Sequence, residues 1–260
     1  MKKNWQTFAL IAPCLLLLAA CQPNRPKAAN DEESALREAG YARAPVITGV
    51  NQSDPSTFVV TGLASGDGRV RVVYQGTHAV GVTADSKGRF RAELPATAQG
   101  GIYDLSMDDN GRPMHADGRL FIPQGHPEKA VLLRSGSPSQ PLLNPNTVAA
   151  VIDIGGNGGA AISGRTAPNS DVKLMEGGDL RGQTRSDAQG NYSLTTRILP
   201  PTETPETWSF TLQAGTATVN ENIPVVLPNA AVGDQVTPIG SGWRVDWVLP
   251  GGGMQTSFVF

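Results

Sequence analysis

The sequence predicts an all-β protein: two tandem antiparallel β-sandwiches followed by a C-terminal aromatic β-hairpin. Three observations carry this. The chain holds 30 Gly and 20 Pro in 260 residues together with many Val, Thr and Ile, the composition of short strands joined by tight turns. Runs of five or six residues alternate polar and apolar and are punctuated every ~8–12 residues by turn signals. The same pattern then recurs at an offset of 102 residues without a gap over about 30 positions, Gly62 matching Gly164 and Gly88 matching Gly190, the mark of an internal repeat.

Residues 1–20 are read as an export leader. Lys2 and Lys3 precede an apolar stretch, Phe8–Ala20, too short to span a bilayer, where about 20 residues are needed, and shaped like a signal h-region. Leu18-Ala19-Ala20-Cys21 resembles the lipobox of bacterial lipoproteins. The resemblance implies that the Cys21 thiol is acylated, that Cys21 becomes the first mature residue, and that Gln22 directs the protein to the outer membrane. A membrane partner through the lipid anchor follows from it.

Removing Lys2 and Lys3 from 21 basic side chains leaves 19 against 23 acidic ones, well dispersed. That balance argues against nucleic acid, which needs a clustered basic face. Cys14 leaves with the leader and Cys21 is consumed by lipid, so the folded part is expected to have no disulfide. Its stability rests on apolar burial alone.

Residues 21–43 are the lipidated cysteine and a tether. Pro23 and Pro26 oppose helix in Gln22–Pro26. Asn30-Asp31-Glu32-Glu33, Ala35–Ala39 and Gly40 supply the cap, body and stop of a short solvated helix.

The first module is placed at 44–123 and the second at 147–228. Phe58–Gly62 and Ala160–Gly164 read as apolar strands ended by glycine; Val70-Arg71-Val72 and Val172-Lys173-Leu174 read as half-buried strands. Asp85-Ser86-Lys87-Gly88 and Asp187-Ala188-Gln189-Gly190 read as tight turns, Asp bonding its own backbone and Gly taking the left-handed position. Phe90–Leu94 and Tyr192–Thr195 resume alternation. Asp109-Asn110-Gly111-Arg112 signals a hairpin between Tyr103–Met107 and Gly118–Ile122. The series Gly-x-Ala, Val-x-Val and Asp-x-x-Gly-x-aromatic resembles the bacterial immunoglobulin-like modules of surface proteins and adhesins, and also carboxypeptidase-regulatory-like sandwiches. The resemblance covers about three fifths of the chain and implies fold without function. Pro200–Pro205 interrupts the second copy before Trp208–Leu212, so strand equivalence is open there.

Residues 124–146 are assigned as a Pro-rich linker that makes the modules separate cooperative units, with Ala130–Leu133 apolar enough to lie against one of them. Residues 229–260 form the hairpin, Trp243–Val248 and Met254–Phe260 joined through Pro250-Gly251-Gly252-Gly253, packed on the second module. Trp243, Val245 and Trp247 share one face; Phe258 and Phe260 share another.

Chemical motifs lead to no reaction. Gly156-Asn157-Gly158-Gly159-Ala160-Ala161 matches a dinucleotide-binding string, but Ile162–Pro168 cannot supply the helix that motif requires. Asp108, Asp109, Asn110 and Asp117 cluster without the calcium-loop order, and turn chemistry explains them. His78, His115 and His126 lack metal-ligand spacing, and no Gly-x-Ser-x-Gly elbow exists. No cofactor, metal or catalytic residue is assigned, and the chain is read as a non-enzyme. The candidate binding residues are the aromatics Trp208, Trp243, Trp247, Phe258 and Phe260. They either complete a core or edge, or form a surface that pairs with a partner strand or stacks on sugar rings. The function expected is a non-catalytic outer-membrane lipoprotein for envelope structure, adhesion or surface-complex assembly, with an envelope protein or glycan as partner. The alternative is a carbohydrate- or peptidoglycan-binding lipoprotein.

Overall fold

The structure is a computed structural model that describes residues 42–260 apart from 75, 77, 110, 144–147 and 241. Cys21 and the expected leader and tether helix lie outside the described residues.

The first half forms β1 (Val46–Asp54), β2 (Thr57–Leu63), β3 (Arg69–Tyr74), β4 (His78–Thr83) and β5 (Arg89–Pro95). It continues with β6 (Gly101–Asp109), β7 (Arg112–His115), β8 (Arg119–Ile122), β9 (Val131–Leu133) and β10 (Gln140–Pro141). A three-stranded sheet, β1-β2-β5, faces a seven-stranded one, β10-β9-β8-β6-β3-β4, with β7 beside β6. Phe58, Val70, Val72, Phe90, Tyr103, Leu105, Leu120 and Ile122 fill the space between them.

The second half forms β11 (Val151–Gly155), β12 (Gly159–Arg165), β13 (Asp171–Glu176), β14 (Asp179–Arg185) and β15 (Asn191–Arg197). Then come β16 (Glu206–Ala214), β17 (Ala217–Val225), β18 (Gln235–Ile239), β19 (Gly242–Val248) and β20 (Met254–Val259). A six-stranded sheet, β15-β12-β11-β20-β19-β18, faces a four-stranded one, β14-β13-β16-β17. The core between them holds Ile152, Ile162, Leu174, Trp208, Phe210, Leu212 and Phe258. All the pairings are antiparallel, and the two halves are immunoglobulin-like sandwiches.

The repeat extends to individual bonds. Asp85 accepts the backbone N–H of Lys87 at 2.9 Å and of Arg89 at 2.8 Å; Asp187 accepts those of Gln189 and Asn191, both at 2.8 Å. Gly88 and Gly190 sit at φ +78° and +88°, and a Cβ on either would lie 2.2 Å from a backbone carbonyl, that of Ala64 or Thr166. Gly62 and Gly164 have another reason: the chain at the start of β1, or just before β11, passes so close that a Cβ would meet the carbonyl of Val46 at 2.3 Å or of Val148 at 1.7 Å. Opposite them stand Phe90 and Tyr192, and the Tyr192 hydroxyl donates to the Val148 carbonyl.

The Pro200–Pro205 insertion has a simple register consequence. Val70 pairs Met107, whereas Val172 pairs Ala214, so the offset grows from 102 to 107 residues across the insertion and equivalence resumes. Tyr103, Leu105 and Met107 correspond to Phe210, Leu212 and Ala214, all buried.

Two expectations change. Residues 124–146 do not form a free linker: a 3₁₀ turn at Pro127–Lys129 leads into β9, which pairs β8, and β10 pairs β9. Nor do the modules stand apart in space. The outer faces of the seven- and six-stranded sheets pack on each other, with Ile102, Phe121, Val131 and Leu133 from the first meeting Ala150, Val151, Val245, Trp247 and Val259 from the second. The physical reason is visible in β8: Leu120 and Ile122 face the first core while Phe121 between them faces the seam. A sheet apolar on both faces must be covered on both. Residues Ala42–Phe260 accordingly cluster as one unit.

Candidate functional site

The aromatic residues singled out by sequence are mostly spent on packing. Trp208 is 6% exposed and lies against Phe210, ring centroids 4.3 Å apart, in the second core. Phe258 is fully buried there, and Phe260 packs at its margin. Trp247 is 1% exposed and lies in the seam. Trp208, Trp247 and Phe258 offer no face to a ligand because their rings are packed inside the second core or the seam. Trp243 reaches the rim of the seam. It is half-buried beside the seam, with the His126 ring 5.3 Å away and the Lys129 ammonium 5.4 Å from its centroid. The 3₁₀ turn of the first half therefore clasps the hairpin of the second through a cation–π contact. A sugar-stacking platform needs at least two exposed coplanar rings, and Trp208, Trp243 and Trp247 do not form one.

The face-sharing read from sequence has a structural basis. Trp243, Val245, Trp247 and Val259 point to the seam, and Phe258 and Phe260 to the second core.

Within the seam lies a polar cluster that sequence reasoning missed. Asp153 on β11 is 5% exposed. Its Oδ2 accepts the Ser139 backbone N–H at 2.6 Å, and its Oδ1 accepts the hydroxyls of Ser139 at 2.8 Å and Ser257 at 2.6 Å. Ser257 in turn accepts the Trp247 indole N–H at 3.1 Å, and Ser139 accepts the Arg134 backbone N–H at 3.2 Å. Burial pushes the Asp153 carboxyl above the usual carboxylate range, and the hydrogen bonds only partly offset this. The signal in the sequence is the single acid in Val151-Ile152-Asp153-Ile154, since a charge inside an apolar strand demands partners.

A second polar tie crosses the seam. Arg119 on β8 grips Asp104 through Nε at 2.6 Å and Nη2 at 3.0 Å, and reaches Asp234 of the second half at 2.7 and 2.9 Å. Asp234 also accepts the Val248 backbone N–H at 2.9 Å. Burial pulls the Arg119 guanidinium down, but the bonds to Asp234 and Asp104 outweigh it and leave its pKa raised. Behind the hairpin, Asp246 accepts Arg244 at 3.0 Å and Thr256 at 2.5 Å on the opposite face of the sheet.

The remaining motifs resolve into turns. The glycine string 156–161 runs through the β11–β12 hairpin turn, where Gly158 has φ +79°. Asp108 accepts the Gly111 backbone N–H at 3.0 Å, Asp109 pairs Arg112 at 3.0 Å, and Asp117 pairs Arg134 at 2.8 Å. His78 stacks on Tyr74 at 5.2 Å. Among the described residues no group of three or more His, Cys, Asp or Glu is placed to hold a metal, and no helix is long and apolar enough to cross a membrane. At the rim of the seam, Arg134, Ser139 and Pro141 face Arg185, Asn191 and Ser193 across an open polar crevice of 610 Å³.

No protein-family model matches the chain, and no curated protein is significantly similar to it. Among solved structures it is similar to a chain described as "Biofilm associated protein - BSP domain", at 14% identity and a TM-score of 0.23, over 76% of this chain. The present chain spans 32% of the length of that structure.

Proposed function

We propose that the protein is a non-catalytic envelope lipoprotein: a two-sandwich body, tethered by lipid at Cys21 to the outer membrane, that serves envelope structure, adhesion or the assembly of a surface complex. The observation that carries this reading is the use to which the chain puts its most conspicuous side chains. Asp153, Asp246, Arg119, Trp247 and Phe258 are all bonded or packed within the scaffold itself. Such a body presents its exposed strands and loops to an envelope protein or glycan. The anchor rests on the Leu18–Cys21 run and the leader before it. Stable attachment to a bilayer takes about two acyl chains or an equivalent second signal, and Cys21 is where they would be joined.

The test is Cys21→Ser. Metabolic labelling with palmitate should mark the parent protein and not the variant, and fractionation should move the variant out of the outer membrane. A variant that stays there at the parent level would refute the anchor.

A further inference from the structure

Asp153 is a buried carboxylate whose bonded partners are all neutral. Ser139 comes from the end of the first half, between β9 and β10; Asp153 and Ser257 come from adjacent central strands of the second. One carboxyl group thus joins three segments across the sheet-to-sheet seam. Its surroundings on that face are Val151, Val245, Trp247 and Val259. The charged groups on the elements packed against it are engaged elsewhere. Arg134 gives its Nη2 to Asp117 at 2.8 Å and makes no bond to Asp153, its buried Nε being without a partner, and the Arg244–Asp246 pair occupies the other face of β19. Gln255 adds a neutral amide beside it.

We propose that Asp153 works as a proton-operated latch between the two sandwiches, the seam holding tightest when its carboxyl carries a proton. An ionised carboxylate in an apolar seam without a cation is costly, and three donors offset that cost only in part. The protonated form keeps the same neighbours: one serine hydroxyl rotates to accept the acid's proton and gives up its own bond to the carboxyl, while the other hydroxyl and the Ser139 N–H go on donating. The burial that raises the carboxyl's pKa sets the sign. A carboxyl that binds its proton more tightly when the seam is closed contributes fully at a pH below its open-state value, ordinarily about 3.9. That contribution is lost as pH rises through its closed-state value. Raising the pH between the two therefore loosens the seam, at up to about tenfold in the opening equilibrium per pH unit for one proton.

The test uses the full chain. Amide exchange of Ser139, whose N–H is donated to Asp153 across the seam, and of Arg134, whose N–H is donated to Ser139, is followed from pH 4 to 8 and corrected for intrinsic rates. The parent should lose protection as pH rises through the Asp153 midpoint, and Asp153→Asn should be flat over the same window. Parallel profiles for the two would overturn the proposal. Should Asp153→Asn fail to fold, the carboxyl carbon of Asp153 is titrated by NMR in the parent and in Ser257→Ala. A midpoint above the ordinary value, moved further up when the Ser257 donor is lost, supports the latch. A midpoint at or below about 3.9 in the parent overturns it.

Discussion

Replacing Trp247 by Ala tests how much of the fold depends on the seam. The side chain is 1% exposed, lies among Ile102, Phe121, Leu133 and Val259, and donates its indole N–H to Ser257. Truncating a buried Trp costs about 3–5 kcal/mol. Ser257 keeps Asp153 as its partner, so the change orphans no charge. Against a usual total of about 5–15 kcal/mol the loss is severe but survivable. In a unit of this size each kcal/mol lowers Tm by about 2–4 °C, so the variant should melt about 6–20 °C below the parent. The control is Trp243→Ala at the half-buried rim, where about 1–2 kcal/mol of burial is at stake. Melting of both variants, followed by circular dichroism, checks the ranking. A Trp247→Ala variant that melts with the parent, or a Trp243→Ala variant that loses as much, would refute the assignment of the seam as buried core.

Gly88→Val and Gly190→Val should each destabilise the protein by roughly 1–3 kcal/mol for the positive φ, with a further penalty because the new Cβ would meet a carbonyl at 2.2 Å; equilibrium denaturation measures it, and an unchanged midpoint counts against the turn geometry. Deleting residues 240–260 removes β19 and β20 from the middle of the six-stranded sheet, so the truncated chain should be unfolded or degraded; a folded product with parent-like stability would turn the hairpin into an appendage.

The repeat was legible because turns are local. Asp85–Gly88 and Asp187–Gly190 declare their geometry within four residues, and the glycines opposite Phe90 and Tyr192 fall at matching positions. The hairpin was legible in the same way, through the alternation of Trp243, Val245 and Trp247. What escaped was long-range. Whether 124–146 swings free depends on β8 offering an edge to β9, and nothing within the prolines states that. Still, Leu120-Phe121-Ile122, Val131-Leu132-Leu133 and Phe258-Val259-Phe260 are continuous apolar runs, the pattern of strands covered on both faces. They were the available sign of a seam. Asp153 was invisible as a partner of Ser139 and Ser257 because the third member lies 104 residues away from it.

The central claim is that residues 42–260 behave as one body, two sandwiches joined face to face. Calorimetry of the full chain and of Gly88→Val and Gly190→Val tests it most directly. The account predicts one transition in which calorimetric and van't Hoff enthalpies agree, moved as a whole by either glycine change. Two resolved transitions, one moved by each substitution while the other stays in place, would contradict it.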